Sequence, residues 1–126
     1  MRAVSTDTSI ALAQKSLDAL WLRQQAISDN IANKDTPGYK SKSVAFENLL
    51  RKAVDAGGSE SGLEERILSV KPELQEDSAA MGEDGNGVDA DAESISLVQT
   101  QLQYQAMVQA VSAEFSRMSY VLNGGK

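Results

Sequence analysis

From Ile10 onward, the positions Ile10, Ala13, Leu17, Leu20, Gln24, Ile27 and Ile31 follow one another at spacings that alternate three and four, and all but Gln24 are apolar. Such a row marks one side of a helix built to pair with another helix. The pattern predicts a helix from about Ser5 or Thr8, either of whose hydroxyls could cap it, to Asn33, roughly 40 Å long at 1.5 Å per residue. Near the other end, Leu97, Gln101, Tyr104, Val108, Val111, Phe115, Met118 and Leu122 keep the same alternation, with Gln101 as the polar member. Asp89, Asp91 and Glu93 place negative charge at the start of this second helix, where the helix dipole favours it, and Gly124 with Gly125 lies just past its end. Gln24 and Gln101 either set the register of pairing or mark where the row faces water. The expected fold is mainly α: long N- and C-terminal helices pairing as a coiled-coil hairpin around a short irregular middle with room for a small β element.

The middle is less regular. Glu47 to Ala56 reads as a short helix with Leu49, Leu50, Ala53 and Val54 on one side, broken by Gly57, Gly58, Ser59 and Gly62. Leu63 to Ala80 mixes apolar residues with five acidic ones and Pro72. Within it, Ile67, Leu68 and Val70 are the candidate strand. The chain divides into an N-terminal arm (1–33), a middle (34–90) and a C-terminal arm (91–126), forming one structural unit. So few large apolar groups in the middle predict a thin hairpin. Leu12, Trp21 and Leu22 on the first helix, and Leu102, Met107 and Val121 on the last, lie off the two rows. Each large side chain is worth roughly 1.5 to 3 kcal/mol when fully buried. The helices are therefore expected to complete their burial in an assembly, and the isolated subunit to be partly unfolded at its ends.

Between the first helix and the middle stands the run Asn30, Ile31, Ala32, Asn33, Lys34, Asp35, Thr36, Pro37, Gly38, Tyr39, Lys40. Asn33 suits the left-handed conformation that ends a helix. Pro37 pushes Thr36 out of the helical region, and Pro37 followed by Gly38 presets the centre of a type II turn. Tyr39 supplies a ring to bury and a hydroxyl that needs a partner.

Composition removes most chemistry. The chain has no cysteine and no histidine, which excludes disulfides, thiolate metal sites and histidine-based nucleophilic catalysis. Twelve basic against eighteen acidic residues leave a net charge of -6 and a poor partner for nucleic acid. The basic stretch Lys34, Lys40, Lys42, Arg51 and Lys52, which carries Tyr39 and Phe46, reads as a solvated or partner-facing loop. An EF-hand alignment from Asp84 fails, because Val88 and Asp89 stand where a ligand and the invariant glycine belong and Ile95 replaces the bidentate glutamate. A turn at Asp84, Gly85 and Asn86 before an acidic helix start explains that run instead. Glu64 with Glu65, and Glu73 with Glu76 and Asp77, read as solvated faces, and Met107 and Met118 as packing. No catalytic, cofactor or metal residue is expected, and the chain is not read as an enzyme. Met1 to Thr8 lacks signal-peptide character, and no run approaches the roughly 20 apolar residues of a membrane span.

Asn30, Ile31, Ala32, Asn33, Thr36, Pro37, Gly38 and Tyr39 together closely resemble the N-terminal signature of the flagellar axial proteins, the rod, hook and hook-associated family. Hook and distal rod subunits of that family carry large outer domains between their terminal helices, and only about fifty residues separate the arms here. The short proximal rod subunits are the nearest likeness, and Val44 to Phe46, the Asp84 to Asp89 run and the set Tyr104, Phe115 and Leu122 agree with it. Gly57 to Ala80 carries no resemblance. The likeness implies a structural part of the proximal rod, the shaft that carries torque from the membrane ring to the hook. It implies contacts with copies of itself, other rod subunits, and the adaptor and membrane ring proteins, with no nucleic acid and no membrane insertion. It also implies uncleaved passage through the flagellar type III export apparatus to the basal body, where the rod crosses the periplasmic space. The residues expected to pack helices or assembly are Ile10, Leu17, Leu20, Trp21, Ile27, Ile31, Leu97, Tyr104, Val108, Val111, Phe115, Met118 and Leu122. The alternatives are another proximal rod subunit of the same family, or a soluble coiled-coil adaptor or export chaperone.

Overall fold

The computed structural model describes residues 6–58, 62–77 and 87–125. Along the chain run α1 (Thr6–Ala32), β1 (Lys42–Ala45), α2 (Glu47–Asp55), α3 (Leu63–Leu68), β2 (Glu73–Glu76) and α4 (Ala90–Leu122). The long terminal helices pack lengthwise and antiparallel. Asn30 meets Glu93 at one end, Trp21 lies beside Tyr104 further along, and Thr6 and Asp7 share a groove with Arg117 and Met118 at the other.

The row Ile10, Ala13, Leu17, Leu20, Gln24, Ile27 and Ile31 is buried or half-buried along its whole length, including Gln24. A second row on α1, Ala19, Arg23, Ala26 and Asn30, faces the middle segment. There Ala19 and Ala26 join Val44, Phe46 and Val70 in the core, with Leu22, Leu49, Leu50 and Ala53 packed against them. Small alanines let this layer come close to the helix axis, where dispersion contacts are densest. The expected thin hairpin is thus corrected: the middle covers a second side of α1, and Ile67, only 2% exposed, is one of its most buried groups.

β1 and β2 form a two-stranded antiparallel ribbon in which Val44 pairs with Leu74 and Lys42 with Glu76. The strand thus lies at Glu73–Glu76, and the candidate strand at Ile67, Leu68 and Val70 is not formed. Leu63 and Ile67 stand four apart on one helical face, and Glu64 and Glu65 favour the first turn of α3.

Helix ends follow local chemistry. The Asp89 side chain caps α4 by accepting from the Ala92 N–H at 3.2 Å. At the far end, the Gly125 N–H bonds to Tyr120 O and the Gly124 N–H to Val121 O, with φ of +82° and +67°, a Schellman ending that needs glycine. Asn33 is corrected: among the described residues no non-glycine residue has a positive φ. Its side-chain amide instead reaches back to Asp29 O at 2.8 Å, a carbonyl that also accepts the Asn33 N–H at 3.0 Å, so the helix ends without a left-handed residue. Ser5 and the expected turn at Asp84, Gly85 and Asn86 lie outside the described residues.

Candidate assembly site

The signature run folds as a junction with Asn30 at its centre. Asn30 is 0% exposed, and its polar atoms are all engaged. Its Oδ1 accepts from the Lys42 N–H at 2.8 Å and from the Tyr39 hydroxyl at 3.3 Å; its Nδ2 donates to Lys42 O at 2.8 Å and to Glu93 Oε2 at 3.1 Å. One amide therefore joins α1, the start of β1 and the first turn of α4. Pro37 and Gly38 make the expected type II turn: the Tyr39 N–H bonds to Thr36 O at 3.2 Å, and Gly38 has φ +76°. The Thr36 hydroxyl donates to Asn33 Oδ1 at 3.1 Å, tying the turn to the helix end. Ile31 is half-buried, whereas Ala32, Thr36, Pro37 and Gly38 are exposed.

The turn also holds the approach to α4. The Gly87 N–H bonds to Tyr39 O at 3.1 Å, and the Ser41 hydroxyl donates to Gly87 O at 2.6 Å. A Cβ at Gly87 would sit 3.2 Å from Tyr39 O, so the close approach favours glycine there. Burial pushes the Tyr39 phenol above its ordinary pKa, and the charges of Asp29, Glu76 and Glu93 push the same way. Tyr39 thus remains a donor to Asn30, with Lys42 Nζ lying 6.0 Å over its ring.

On the α4 side, the row facing α1 is turned from the expected one. Leu97, Tyr104, Val111 and Met118 are half-buried as that row requires, but its other members are Thr100, Met107 and Glu114. Thr100 is the only buried residue among the described residues of α4. Val108, Phe115 and Leu122 are 42%, 54% and 81% exposed and repeat every seven residues along one side of the helix. Gln101 is exposed beside them. Of the residues expected off the rows, Met107 belongs to the α1-facing row, Leu12 and Leu22 are half-buried, and Trp21, Leu102 and Val121 are exposed. With Ile95, Val98, Leu102, Tyr120 and Val121, α4 carries eight exposed large apolar groups.

Between α1, α2 and α4 runs a continuous apolar groove. One stretch, about 450 Å³, is bounded by Leu20, Phe46, Leu50 and Met107; the next, about 290 Å³, by Ile10, Leu12, Leu50 and Val111. Leu17 and Ile27 are half-buried and buried on α1. The charged groups lining its wider stretch, Arg23 and Glu47, are bonded to each other, and the groove is otherwise mainly apolar among the described residues. Among the described residues no three His, Cys, Asp or Glu side chains could hold a metal ion, and no helix is long and apolar enough to cross a membrane.

Sequence reasoning placed the motif but missed the roles of Asn30, Arg23, Ser41 and Gly87. The available signal was the row Ala19, Arg23, Ala26 and Asn30, which has the same alternating spacing as the main one. Comparison with known proteins agrees with this architecture. A family model described as flagella basal body rod protein matches residues 10–40, spanning the main α1 row and the signature. The flagellar basal body rod protein FlgB of Bacillus subtilis is 35% identical over 90% of this chain and 92% of its own length. FlgB of Borreliella burgdorferi is 35% identical over 92% and 96%, and FlgB of Escherichia coli 29% identical over 94% and 96%.

Proposed function

The chain belongs to the family of flagellar basal body rod proteins named FlgB, a structural component of the proximal rod, and from that premise we propose that the apolar side of α4 is where it packs into the shaft. The observation that carries this reading is the row Val108, Phe115 and Leu122, left in water in the single chain although it repeats as regularly as a buried seam. Monomeric proteins rarely expose large contiguous apolar patches. Covered by helices of neighbouring subunits, each of the three side chains would gain the share still exposed of the roughly 1.5 to 3 kcal/mol that full burial of a large apolar side chain is worth.

The partners of this face are copies of the chain and other rod subunits, with the adaptor and membrane ring proteins at one end of the stack. A face that differs from the surface it docks on makes heterologous contacts, which extend helically instead of closing. Paired α1 and α4 seams, coiled-coil in character, would stiffen the shaft, because close-packed interiors transmit strain with little compression. Such a shaft passes torque from the ring toward the hook. The subunit has no catalytic role; it reaches the rod, in the periplasmic space, through the flagellar type III export apparatus without a cleaved signal peptide. The turn from Asn30 to Tyr39 directs the chain from the inner helical layer to the elements outside it.

Cryo-electron microscopy of basal bodies from a strain producing this chain tests the reading. Density for α1 and α4 in the proximal rod, with Phe115 against a neighbouring subunit, is the expected result. A deletion strain that builds complete rods and swims normally would contradict it.

A further inference from the structure

The packing rows of both long helices repeat every seven residues: Ile10, Leu17, Gln24 and Ile31 on α1, and Leu97, Tyr104, Val111 and Met118 on α4. Apolar packing of that kind discriminates weakly against a slip of one heptad, since each side chain then meets an equivalent neighbour. The connection between the helices is held to the turn at Gly87, three residues before α4, so a slip must also break those bonds. Polar contacts at this end of the helix pair choose the register. Asn30 is placed to do it. Its Oδ1 takes both the Lys42 N–H and the Tyr39 hydroxyl, which fixes the amide so that Nδ2 points at Lys42 O and Glu93 Oε2. Glu93 is thereby bound one turn into α4, directly after the segment that Gly87 anchors to the turn.

We propose that Asn30 is a register-setting residue, which accepts the Glu93 carboxylate as its partner on α4 and disfavours heptad-shifted pairings of the two terminal helices. After a slip of seven residues one way the Asn30 Nδ2 faces Thr100 in place of a carboxylate, and after a slip the other way a position before the start of α4; a buried donor without a strong acceptor is costly. The inference concerns pairing within one chain and holds whether or not the rod contacts are those described above. Its consequence for assembly is alignment: a slip of one heptad would move Val108, Phe115 and Leu122 by roughly 10 Å along the helix.

The absence of cysteine makes the register directly measurable. In the full chain, cysteines replacing Ala13 and Ala110, which border the same stretch of groove, report the observed pairing. Cysteines replacing Ala13 and either Gln103 or Arg117 report a slip of one heptad in each direction. Linking with a short bifunctional maleimide is expected to favour the Ala13 and Ala110 pair in the parent. Glu93→Ala, which leaves the Asn30 bonds to Lys42 and Tyr39 in place, is expected to lower the ratio of in-register to slipped product roughly tenfold, the scale of one hydrogen bond to a charged group. Glu93→Gln, which keeps a neutral acceptor for the Asn30 Nδ2, should fall between Glu93→Ala and the parent. An unchanged ratio in Glu93→Ala, an equal loss of all linked products, or a ratio in Glu93→Gln no better than in Glu93→Ala would each overturn the proposal.

Discussion

The Arg23 guanidinium grips Glu47 through two nitrogens, at 2.7 Å to Oε1 and 2.8 Å to Oε2, while one of them also donates to Val44 O at 2.9 Å. One side chain of α1 thus holds the end of β1 and the first turn of α2 together. The same contact holds the Glu47 carboxyl below its ordinary value of 4.5, chiefly because the hydrogen bonds from Arg23 favour the charged form. A lowered pKa in the folded state adds stability above the unfolded value, and that stability is lost as pH falls through the folded one. Because the Glu47 side chain is 64% exposed, the gain is small. Glu47→Gln is expected to cost less than about 1 kcal/mol near neutrality, with the difference from the parent shrinking as pH falls below the ordinary carboxylate range. Urea titrations of both proteins at a series of pH values check this; a gap that widens toward acid would refute it.

Gly38 occupies the left-handed region at φ +76°, and a Cβ there would meet nothing within 4 Å. Any penalty for a side chain is therefore backbone strain alone. Gly38→Val is expected to destabilise the chain by about 1 to 2 kcal/mol and, by distorting the turn that holds Tyr39, Ser41 and Gly87, to impair rod assembly while expression continues. Gly38→Asn, which tolerates that region better, should be milder. Normal swimming with Gly38→Val would contradict the role of the turn as a junction.

Ile67 is 2% exposed and lies in α3, which packs on α1. Ile67→Ala is expected to cost about 2 to 5 kcal/mol through lost burial and an unfilled cavity. Leu68→Ala, one residue on but 40% exposed, should cost much less. Thermal unfolding of the two variants side by side checks this; equal losses would show that Ile67 is not the buried member of the pair.

The residues of α1 made its structure legible: seven positions at helical spacing all lie buried or half-buried, and the turn at Pro37 and Gly38 forms as their backbone preferences require. On α4 the same reasoning found the helix but not its orientation. Leu97, Tyr104, Val111 and Met118 belong to either of two rows, one completed by Thr100, Met107 and Glu114 and the other by Val108, Phe115 and Leu122. Periodicity counts apolar residues without saying which neighbour covers them, so a row kept for another subunit looks the same as one facing α1. β2 was hidden for a different reason. Glu73–Glu76 is exposed and half acidic, and its shape comes from pairing with β1 about thirty residues earlier. Asn30 was visible as a motif position, but its partnership with Glu93 spans 63 residues and has no local signature.

The exposed state of the terminal part of α4 has its own consequence in the isolated chain. Val121 and Leu122 are 68% and 81% exposed among the described residues. Amide exchange on a dilute subunit is expected to be fastest over residues 112–122 and slowest around Ala19, Ala26 and Ile67. Uniform protection along α4 would show that the helix is fully stabilised without neighbours.

The most direct measurement is Phe115→Glu, made both in the purified chain and in the motile bacterium. Phe115 is already 54% exposed, so circular dichroism of the variant is expected to match the parent in helicity and midpoint, within about 0.5 kcal/mol. Basal bodies imaged from the same strain are expected to lack a complete proximal rod, and the cells not to swim. Complete rods and normal swimming with a charge at Phe115 would contradict the assignment of this side of α4 to the shaft.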